Sequence, residues 1–593
     1  MIKSIDIYHL KHFYSFTKKY KKNTFWGLIM IPLSISSNLL FPWLVIQIID
    51  KKLMPGQLDG LYALIFWMLI VLIVNYFADA FYSYFLRKTG QAAVFDMRKV
   101  LFERILCFPQ SYFDKVPTGV TLARLTNDLE AIGESFVLGI LGIIKDGINT
   151  VALLIFMLII DWQLSLVILC VFPPILYLTQ FVRKKLRAQY LITHSALAKG
   201  TGFLQECLAG LKTVQLFGAE PEVEMQYRNN TSTFMRAQLK ANKYDAALYS
   251  LITGITSITI GLIIWYGADK IMQSTLSLGV LIAFINTLEK IFVPLRDFTS
   301  QITGIQRSFA AFDHIEELFI EPVEEDLKPH IKVEDVNNSL IDFRSLEFKN
   351  VSYQYKKEDE YVLRHVSFTL KKGEKLALVG ETGSGKSTII RLISKSYMNY
   401  EGSILLNGIE LSSIPKKSIL HLFSLMQQDV FLFDEDLNFN ISLGNKDLDD
   451  NDVIDAAKYV YAHNFIVGLP SQYKFKLKNS GGNLSAGQAQ LISFARAIAQ
   501  GGHVLMLDEA TSSVDSLTEE LIQMAIGKLL KDKTVIAIAH RLSTIKNSDQ
   551  ILVIKRGQIV ERGSHEDLLV NQGPYASLLQ EGTVLANDAR KET

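Results

Sequence analysis

Six apolar stretches, at about residues 25-48, 61-86, 132-159, 162-182, 246-269 and 277-298, fill the first half of this 593-residue chain and have no counterpart in the second. Each is close to the ~20 residues that an α-helix needs to cross a hydrocarbon core of ~30 Å. A hydrophobic fraction of 49% and a positive mean hydropathy are high for a soluble protein. The chain is too long for one ordinary core, so a membrane domain followed by a soluble one is expected.

The loops between these stretches alternate in length. Ile160-Asp161 barely separates the third and fourth, about 45 residues lie between the second and third, and over 60 between the fourth and fifth. Helices that continue well beyond the bilayer on one side account for that alternation. Lys18, Lys19, Lys21 and Lys22, then Arg87, Lys88, Arg98 and Lys99, then Arg183, Lys184, Lys185 and Arg187 all flank the long-loop side, with Lys51 and Lys52 a minor exception. Basic flanks mark the cytoplasmic side. The first apolar stretch is too long for a signal-peptide core and carries no well-spaced cleavage pattern, so it reads as a retained anchor.

Net charge is +1, which argues against a basic nucleic-acid-binding surface. Cys107, Cys170 and Cys207 are far apart, with no CxxC pair, so neither a disulfide framework nor a zinc site is expected. The acidic, proline-containing stretch beginning Glu321-Pro322-Val323-Glu324-Glu325-Asp326 reads as a linker. The organisation is therefore a cytoplasmic segment 1-22, a transmembrane domain 23-318, a linker 319-342, a soluble domain 343-583 and a polar tail 584-593. In the soluble part, β-rich runs such as Lys375-Leu376-Ala377-Leu378-Val379 alternate with helical patterns, the mark of an α/β core.

That strand runs into Gly380-Glu381-Thr382-Gly383-Ser384-Gly385-Lys386-Ser387-Thr388, which fits G-x-x-x-x-G-K-[ST] between a strand and a helix. The glycines let the backbone wrap phosphates, the helix N-terminus supplies partial positive charge, Lys386 reaches the β and γ phosphates of ATP, and Ser387 is a Mg²⁺ ligand. A second apolar run, His503-Val504-Leu505-Met506-Leu507, ends in Asp508-Glu509. Asp508 suits Mg²⁺, a hard cation that takes oxygen ligands. Glu509 is then placed to orient or deprotonate an attacking water. Alone, two acids at a strand end are often merely solvated; behind a phosphate loop they point to ATP hydrolysis.

The run Leu484-Ser485-Ala486-Gly487-Gln488 lies about a hundred residues after the phosphate loop and about twenty before Asp508-Glu509. Ser485 and the backbone amides near Gly487 cap a helix reaching Ala499, and a helix start of this kind favours anions. Together the three motifs resemble the nucleotide-binding domain of an ATP-binding cassette (ABC) transporter. With six spans in front of it, nearly the whole chain resembles a half-transporter of the exporter type. The implied fold is an α-helical membrane domain of six transmembrane helices followed by an α/β P-loop nucleotide-binding domain.

The resemblance carries further roles. Tyr355, in Val351-Ser352-Tyr353-Gln354-Tyr355, aligns with the aromatic that stacks on adenine, and Tyr353 reads as a sheet residue. Gln428, in Met426-Gln427-Gln428-Asp429, aligns with the glutamine that senses Mg²⁺ and the γ-phosphate side, and His540, in Ile538-Ala539-His540-Arg541, with the switch histidine. Ser485, Gly487 and Gln488 would meet the ATP held by a partner's phosphate loop, with Asp515 at the interface. Phe108-Pro109-Gln110-Ser111-Tyr112-Phe113-Asp114 with Gly119 to Asp128, and Gly210-Leu211-Lys212-Thr213-Val214-Gln215-Leu216-Phe217, resemble the family's coupling helices.

One chain then cannot complete its own ATP site, and a second half-transporter is implied. Ala486 departs from the commonest Leu-Ser-Gly-Gly-Gln, Ala489 and Leu491 stand where basic residues are usual, and Asn479 where many exporters have an acid. Those departures favour a heterodimer over a homodimer. The expected activity is an ATPase that moves a small amphipathic substrate from the cytoplasm or inner leaflet outward, through a bacterial inner (plasma) membrane, with the N-terminus and ATPase domain cytoplasmic. An ATP-gated channel or membrane regulator is the alternative. The substrate stays open among lipid, drug and peptide, since a span-lined cavity offers few diagnostic groups. Asp79, Lys145, Asp146, Glu289 and Lys290 fall within the apolar stretches, where charges are costly; water-exposed helix interior or cytoplasmic extension is favoured over substrate contact.

Overall fold

The computed structural model describes residues 7–323, 342–356, 359–426, 430–508, 516–538 and 545–579. By its internal contacts the chain divides into two units, one of residues 1–106 and 116–321, the other of 107–115 and 322–593.

The first unit is helical throughout its described residues. Its elements are α1 (Ile7–Thr17), α2 (Lys21–Ile48), α3 (Leu61–Ile105), then, beyond the short α4 (Gln110–Lys115) that belongs to the second unit, α5 (Thr118–Ala123), α6 (Leu129–Ile160), α7 (Trp162–Ala209), α8 (Leu211–Leu216), α9 (Glu220–Met272) and α10 (Leu278–Ile320). Among the described residues, five helical runs are long and apolar enough to cross a membrane: His12–Leu53, Leu61–Ile105, Thr118–Ile160, Trp162–Ala209 and Glu220–Met272. The sixth apolar stretch falls within α10. At 1.5 Å per residue, the 48 residues of α7 and the 53 of α9 run to about 70 and 80 Å, far beyond a bilayer core. The alternating loop lengths have their cause here.

Leu153, Met157, Leu164, Ile168, Ile263, Leu281, Phe284, Leu288 and Ile291 form a packed interior shared by α6, α7, α9 and α10. Phe66, Trp67, Tyr76 and Trp265 instead stand exposed. Apolar aromatics facing outward in number are what a lipid-facing surface requires, because the solvent is as apolar as the core.

The charges inside the apolar stretches find polar partners. The Lys145 ammonium meets the Asp79 carboxylate at 2.5 Å and lies over the Tyr82 ring at 4.7 Å, while Ser34 donates to the same carboxylate at 2.7 Å. Gln301 donates to Asp146 at 3.2 Å, and Lys290 to the Asn38 side-chain oxygen at 3.3 Å. Glu289 is exposed. Neighbours in sequence point to different partners, as helix geometry demands.

Asp161 turns the chain between α6 and α7. Its carboxylate accepts from the backbone N–H of Gln163 and Leu164, at 3.0 and 2.9 Å, and holds Lys270 at 2.6 Å, with side-chain exposure of 12% for the acid and 13% for the lysine. Asp161→Ala removes the cap, about 1 kcal/mol, and leaves an enclosed ammonium unpaired, a loss of about 3–5 kcal/mol. We expect the purified variant to unfold several degrees lower than wild type in a thermal scan, and Asp161→Asn, which keeps an accepting oxygen for the cap, to fall less far.

The second unit is an α/β structure. Its strands are β1 (Ser345–Tyr353), β2 (Leu363–Lys371), β3 (Lys375–Val379), β4 (Tyr400–Leu406), β5 (Ile409–Glu410), β6 (Phe423–Met426), β7 (Val504–Asp508), β8 (Thr534–Ile538), β9 (Gln550–Lys555) and β10 (Gln558–Gly563). One sheet, ordered β2-β1-β4-β5, is antiparallel. The other, ordered β10-β9-β3-β8-β7-β6, is parallel except for the β9/β10 hairpin. The inner strands are apolar without alternation, Leu-Ala-Leu-Val in β3 and Val-Leu-Met-Leu in β7, because a parallel sheet is buried on both faces. Phe348, Phe368, Leu376, Leu378, Ile389, Ile404, Met506 and Ile536 share one core that joins the two sheets.

Candidate functional site

Three parallel strands deliver the site. Ile538 at the end of β8 is paired with Leu378 of β3 on one side and Asp508 of β7 on the other, so Asp508 and Leu378 lie two strand spacings, about 10 Å, apart. The phosphate loop starts two residues after Leu378. Ligand sites of open α/β sheets form in this position, outside the carboxyl ends of the strands.

The loop itself is fixed by backbone geometry that only glycine tolerates. Gly380 has φ +154°, and a Cβ there would come within 2.1 Å of the Ile554 carbonyl oxygen. At Gly385, φ is +105° and a Cβ would meet the Val362 carbonyl at 2.9 Å; Gly383, at φ +82°, has open space before it. Helix α11 (Lys386–Ile393) begins immediately behind, with Gly385 at its N-cap. Its first amides and the positive end of its dipole face the loop.

Lys386 is 6% exposed and donates to the backbone oxygens of Gly380 and Glu381 at 2.7 and 2.8 Å. An ammonium has three donors, so one is left for an anion held by the loop. Burial draws its pKa below the ordinary lysine value, and the nearby Asp508 and Glu381 carboxylates oppose that shift. Ser384 is 5% exposed, and its hydroxyl has no partner among the described residues. A buried, unpaired hydroxyl within a glycine-rich loop at a helix start fits a phosphate oxygen as its missing acceptor. ATP therefore fits the loop on its own chemistry. Glu381 and Thr382 stand exposed on its rim, and Ser387 is half-buried in the first turn of α11.

Among the described residues no group of three or more His, Cys, Asp or Glu side chains could hold a metal ion. Mg²⁺ binds through one or two protein oxygens together with phosphates and water, and Ser387 and Asp508 carry side-chain oxygens of that kind.

Tyr355 lies beyond the end of β1, 39% exposed. Its hydroxyl shares a 3.0 Å hydrogen bond with Thr388 and accepts one from Arg391 at 3.3 Å, so its ring is pinned beside the first turns of α11. Tyr353, by contrast, is the last residue of β1 and 3% exposed. Tyr397, after α11, packs edge-on against Tyr355 with centroids 5.2 Å apart, and its hydroxyl donates to the Asp114 carboxylate of α4. Arg391, Tyr397 and Asp114 were not singled out by the sequence reading as neighbours of Tyr355. Arg391 carried a local signal, since it is three residues from Thr388 and so shares a helix face; nothing in the sequence marks an acid 283 positions away.

The signature run opens α12 (Ala486–Ala499). The Ser485 hydroxyl accepts from the Gln488 N–H at 3.2 Å and the Gln488 side chain accepts from the Ser485 N–H at 3.1 Å, a reciprocal capping box. Gly487 is buried and Ser485 exposed. From the same helix Arg496 donates to the carbonyls of Asn440 and Phe431, at 2.8 and 3.1 Å, tying the signature helix to the segment that follows Gln428. Gln428, Glu509, Asp515 and His540 lie outside the described residues.

Residues 24–295 match the family described as ABC transporter transmembrane region, and residues 363–512 that described as ABC transporter. A putative multidrug export ATP-binding/permease protein, YgaD of Bacillus subtilis (strain 168), is 30% identical over 580 residues, covering 96% of this chain and 98% of that protein. The ATP-dependent lipid A-core flippase of Pseudoalteromonas translucida (strain TAC 125) is 33% identical over 541 residues, with 91% and 92% covered. A solved structure of a bacterial Atm1-family ABC exporter with ATP bound superposes with a TM-score of 0.78 at 23% identity, over 94% of this chain and 99% of that one; at that identity the likeness is one of fold. The similarity runs through both units in one order, and the chain belongs to the ABC transporters: it is a half-transporter, an integral multi-pass membrane protein whose permease domain is fused to the ATPase domain that drives it.

Proposed function

We propose that this chain is one half of an exporter that uses ATP hydrolysis to move a small amphipathic molecule, lipid-like or drug-like, from the cytoplasm or inner leaflet outward. The observation that carries the reading is similarity over nearly the full length to proteins named as multidrug exporters and lipid A-core flippases, membrane and ATPase parts together. Six spans are proposed, the sixth being the start of α10, with the domain limits 23-318 and 343-583. The basic flanks support an orientation with the N-terminus and ATPase domain in the cytoplasm of a bacterial cell.

The phosphate loop, with Gly380, Gly383 and Gly385 shaping it, would grip the triphosphate through its amides, Ser384, Lys386 and Thr388, and Tyr355 would face the adenine. Mg²⁺, held by Ser387, Asp508 and Gln428, would supply neutralisation of the phosphate charge. Glu509 would orient and deprotonate the attacking water and His540 would contact the γ-phosphate. Ser485, Gly487 and Gln488 would, in family fashion, face an ATP bound by a second half-transporter, with Asp515 at that boundary.

Support for a partner comes from α8 and the residue that caps it, where Leu211, Leu216 and Phe217 are 46%, 72% and 82% exposed. Apolar side chains so exposed at a cytoplasmic loop end call for a covering surface, and a second half's ATPase domain is the proposed cover. Ala486, Ala489 and Leu491 favour a heterodimer in which this chain's signature serves the weaker site.

A pump and a gated channel differ in whether gradients form. In inverted membrane vesicles loaded at equal dye concentration inside and out, ATP is expected to drive accumulation of a cationic dye such as ethidium or a fluorescent phospholipid above its equilibrium level, and a non-hydrolysable ATP analogue to drive none. Equilibration without accumulation, equally fast with both nucleotides, would instead establish the channel.

A further inference from the structure

The loop helix α4 is held by the ATPase unit through a chain of contacts that begins at the nucleotide loop. Thr388 stands in the first turn of α11, directly after Ser387. Its hydroxyl bonds Tyr355, Arg391 one turn on donates to the same phenol, and the rings of Tyr353, Tyr355 and Tyr397 pack edge-to-face at 5.1, 5.2 and 6.0 Å. Tyr397 is 7% exposed and points its hydroxyl to Asp114, which is itself exposed on α4. Tyr112, two residues earlier in α4, is 5% exposed and packs on Phe108 at 4.7 Å. Burial, then the Asp114 bond, hold the Tyr397 phenol protonated far above the ordinary tyrosine range, so it remains a donor at any physiological pH.

This arrangement has the properties of a relay. Edge-to-face ring contacts have preferred geometries, so a ring fixed at one end constrains the next. Stacking an adenine on Tyr355 adds a face to the one ring of the three that is open to solvent. Fixing Tyr355 fixes Tyr397, and Tyr397 is the donor that holds Asp114. Asp114 is nine residues along the chain from the end of α3, in the loop between the second and third spans, so the base, and not only the phosphates, has a covalent route to the membrane helices.

We propose that Tyr397 is a positioning residue that links adenine occupancy at Tyr355 to the docking of α4 through Asp114. The proposal rests on the reading of Tyr355 as the adenine-facing residue. By reciprocity the link runs both ways: whatever tightens α4 on the ATPase unit raises its affinity for the adenine nucleotide.

The test is hydrogen exchange on the full-length transporter in lipid nanodiscs. Binding of a non-hydrolysable ATP analogue is expected to slow exchange of the α4 amides by about tenfold, in the range of local opening, whereas inorganic tripolyphosphate, which has no base, does not. Tyr397→Phe keeps the ring and loses the bond; Asp114→Ala loses it from an exposed position that folding does not need. In both, the nucleotide-dependent protection of α4 disappears while the affinity for the analogue falls by no more than the same factor of about ten, as reciprocity requires, and the two changes together do no more than either alone. Protection that persists in Tyr397→Phe, or that tripolyphosphate reproduces, overturns the proposal. Tyr355→Ala checks the premise separately: it should raise the KM for ATP by about 5- to 150-fold, the range for lost base stacking, and an unchanged KM would remove the adenine reading itself.

Discussion

Lys386→Ala should abolish ATP-driven transport and lower ATP hydrolysis by at least about 100-fold, the scale for removing one preorganised charge stabiliser from a transfer site. The ammonium does two things in this structure. Two of its donors hold the carbonyls of Gly380 and Glu381, which ties the loop back onto the start of its helix, and the third is available to the phosphates. Alanine removes both, so part of the loss will be looser nucleotide binding and part a slower chemical step. Lys386→Arg separates them. Arginine keeps the charge, but its planar fork cannot reproduce a compact ammonium seated between two carbonyls at 6% exposure, and it should bind nucleotide better than alanine does while hydrolysing it hardly faster. Equilibrium binding of a fluorescent ATP analogue, measured beside steady-state hydrolysis, gives the two quantities independently. Wild-type hydrolysis in Lys386→Ala would disprove the placement of the triphosphate.

Much of this site was legible in the sequence because its parts are local. A strand, a glycine loop and a helix start are contiguous in Leu376 to Ile393, and each glycine is required by its own φ or by a near backbone oxygen, so the motif and its geometry are one statement. The signature helix was legible for the same reason: Ser485 and Gln488 satisfy each other across a single turn. The apolar stretches of the membrane domain announced themselves by length, and the helices that contain them extend on the long-loop side as the loop lengths require.

What the sequence did not disclose depends on contacts between distant positions. Lys145 and Asp146 are adjacent, yet the first pairs with Asp79 and the second with Gln301, because successive side chains on a helix diverge. The sequence reading, which placed these charges in a water-exposed helix interior or cytoplasmic extension, named no partner for either, since nothing local specifies which helix stands opposite. Tyr397 and Asp114 are a still longer-range case. Arg496 is intermediate: it lies on the recognised signature helix, but its role, holding the Phe431 and Asn440 carbonyls, depends on a loop folded against it from fifty residues or more away.

Glu509→Gln should retain ATP binding and lose hydrolysis by about 10²- to 10⁴-fold, the range for removing a positioned general base. The argument comes from the sheet. Asp508 and Leu378 both face Ile538 across the ladder, which sets the carboxyl ends of β3, β7 and β8 in one row, and Glu509 is the next residue after the row on β7. Glu509 follows Asp508 directly in the chain, and its proposed role puts the carboxylate at the edge where the loop would present its γ-phosphate. Glutamine has the same size and can still orient a water, but it cannot accept the proton, so binding survives and turnover does not. The variant also reports on assembly. If the partner is a different chain whose own site is weak, Glu509→Gln in this chain alone silences the complex; if the partner is an identical copy, mixed dimers carrying one altered and one native chain keep one native Glu509. Tagging the two chains differently, isolating the mixed complex and measuring its hydrolysis per dimer decides between them: a residual rate near half of wild type indicates two independent sites in a homodimer. A complex with a distinct half-transporter whose hydrolysis falls to about 1% of wild type or below, the loss expected of a removed general base, indicates that this chain holds the one productive site.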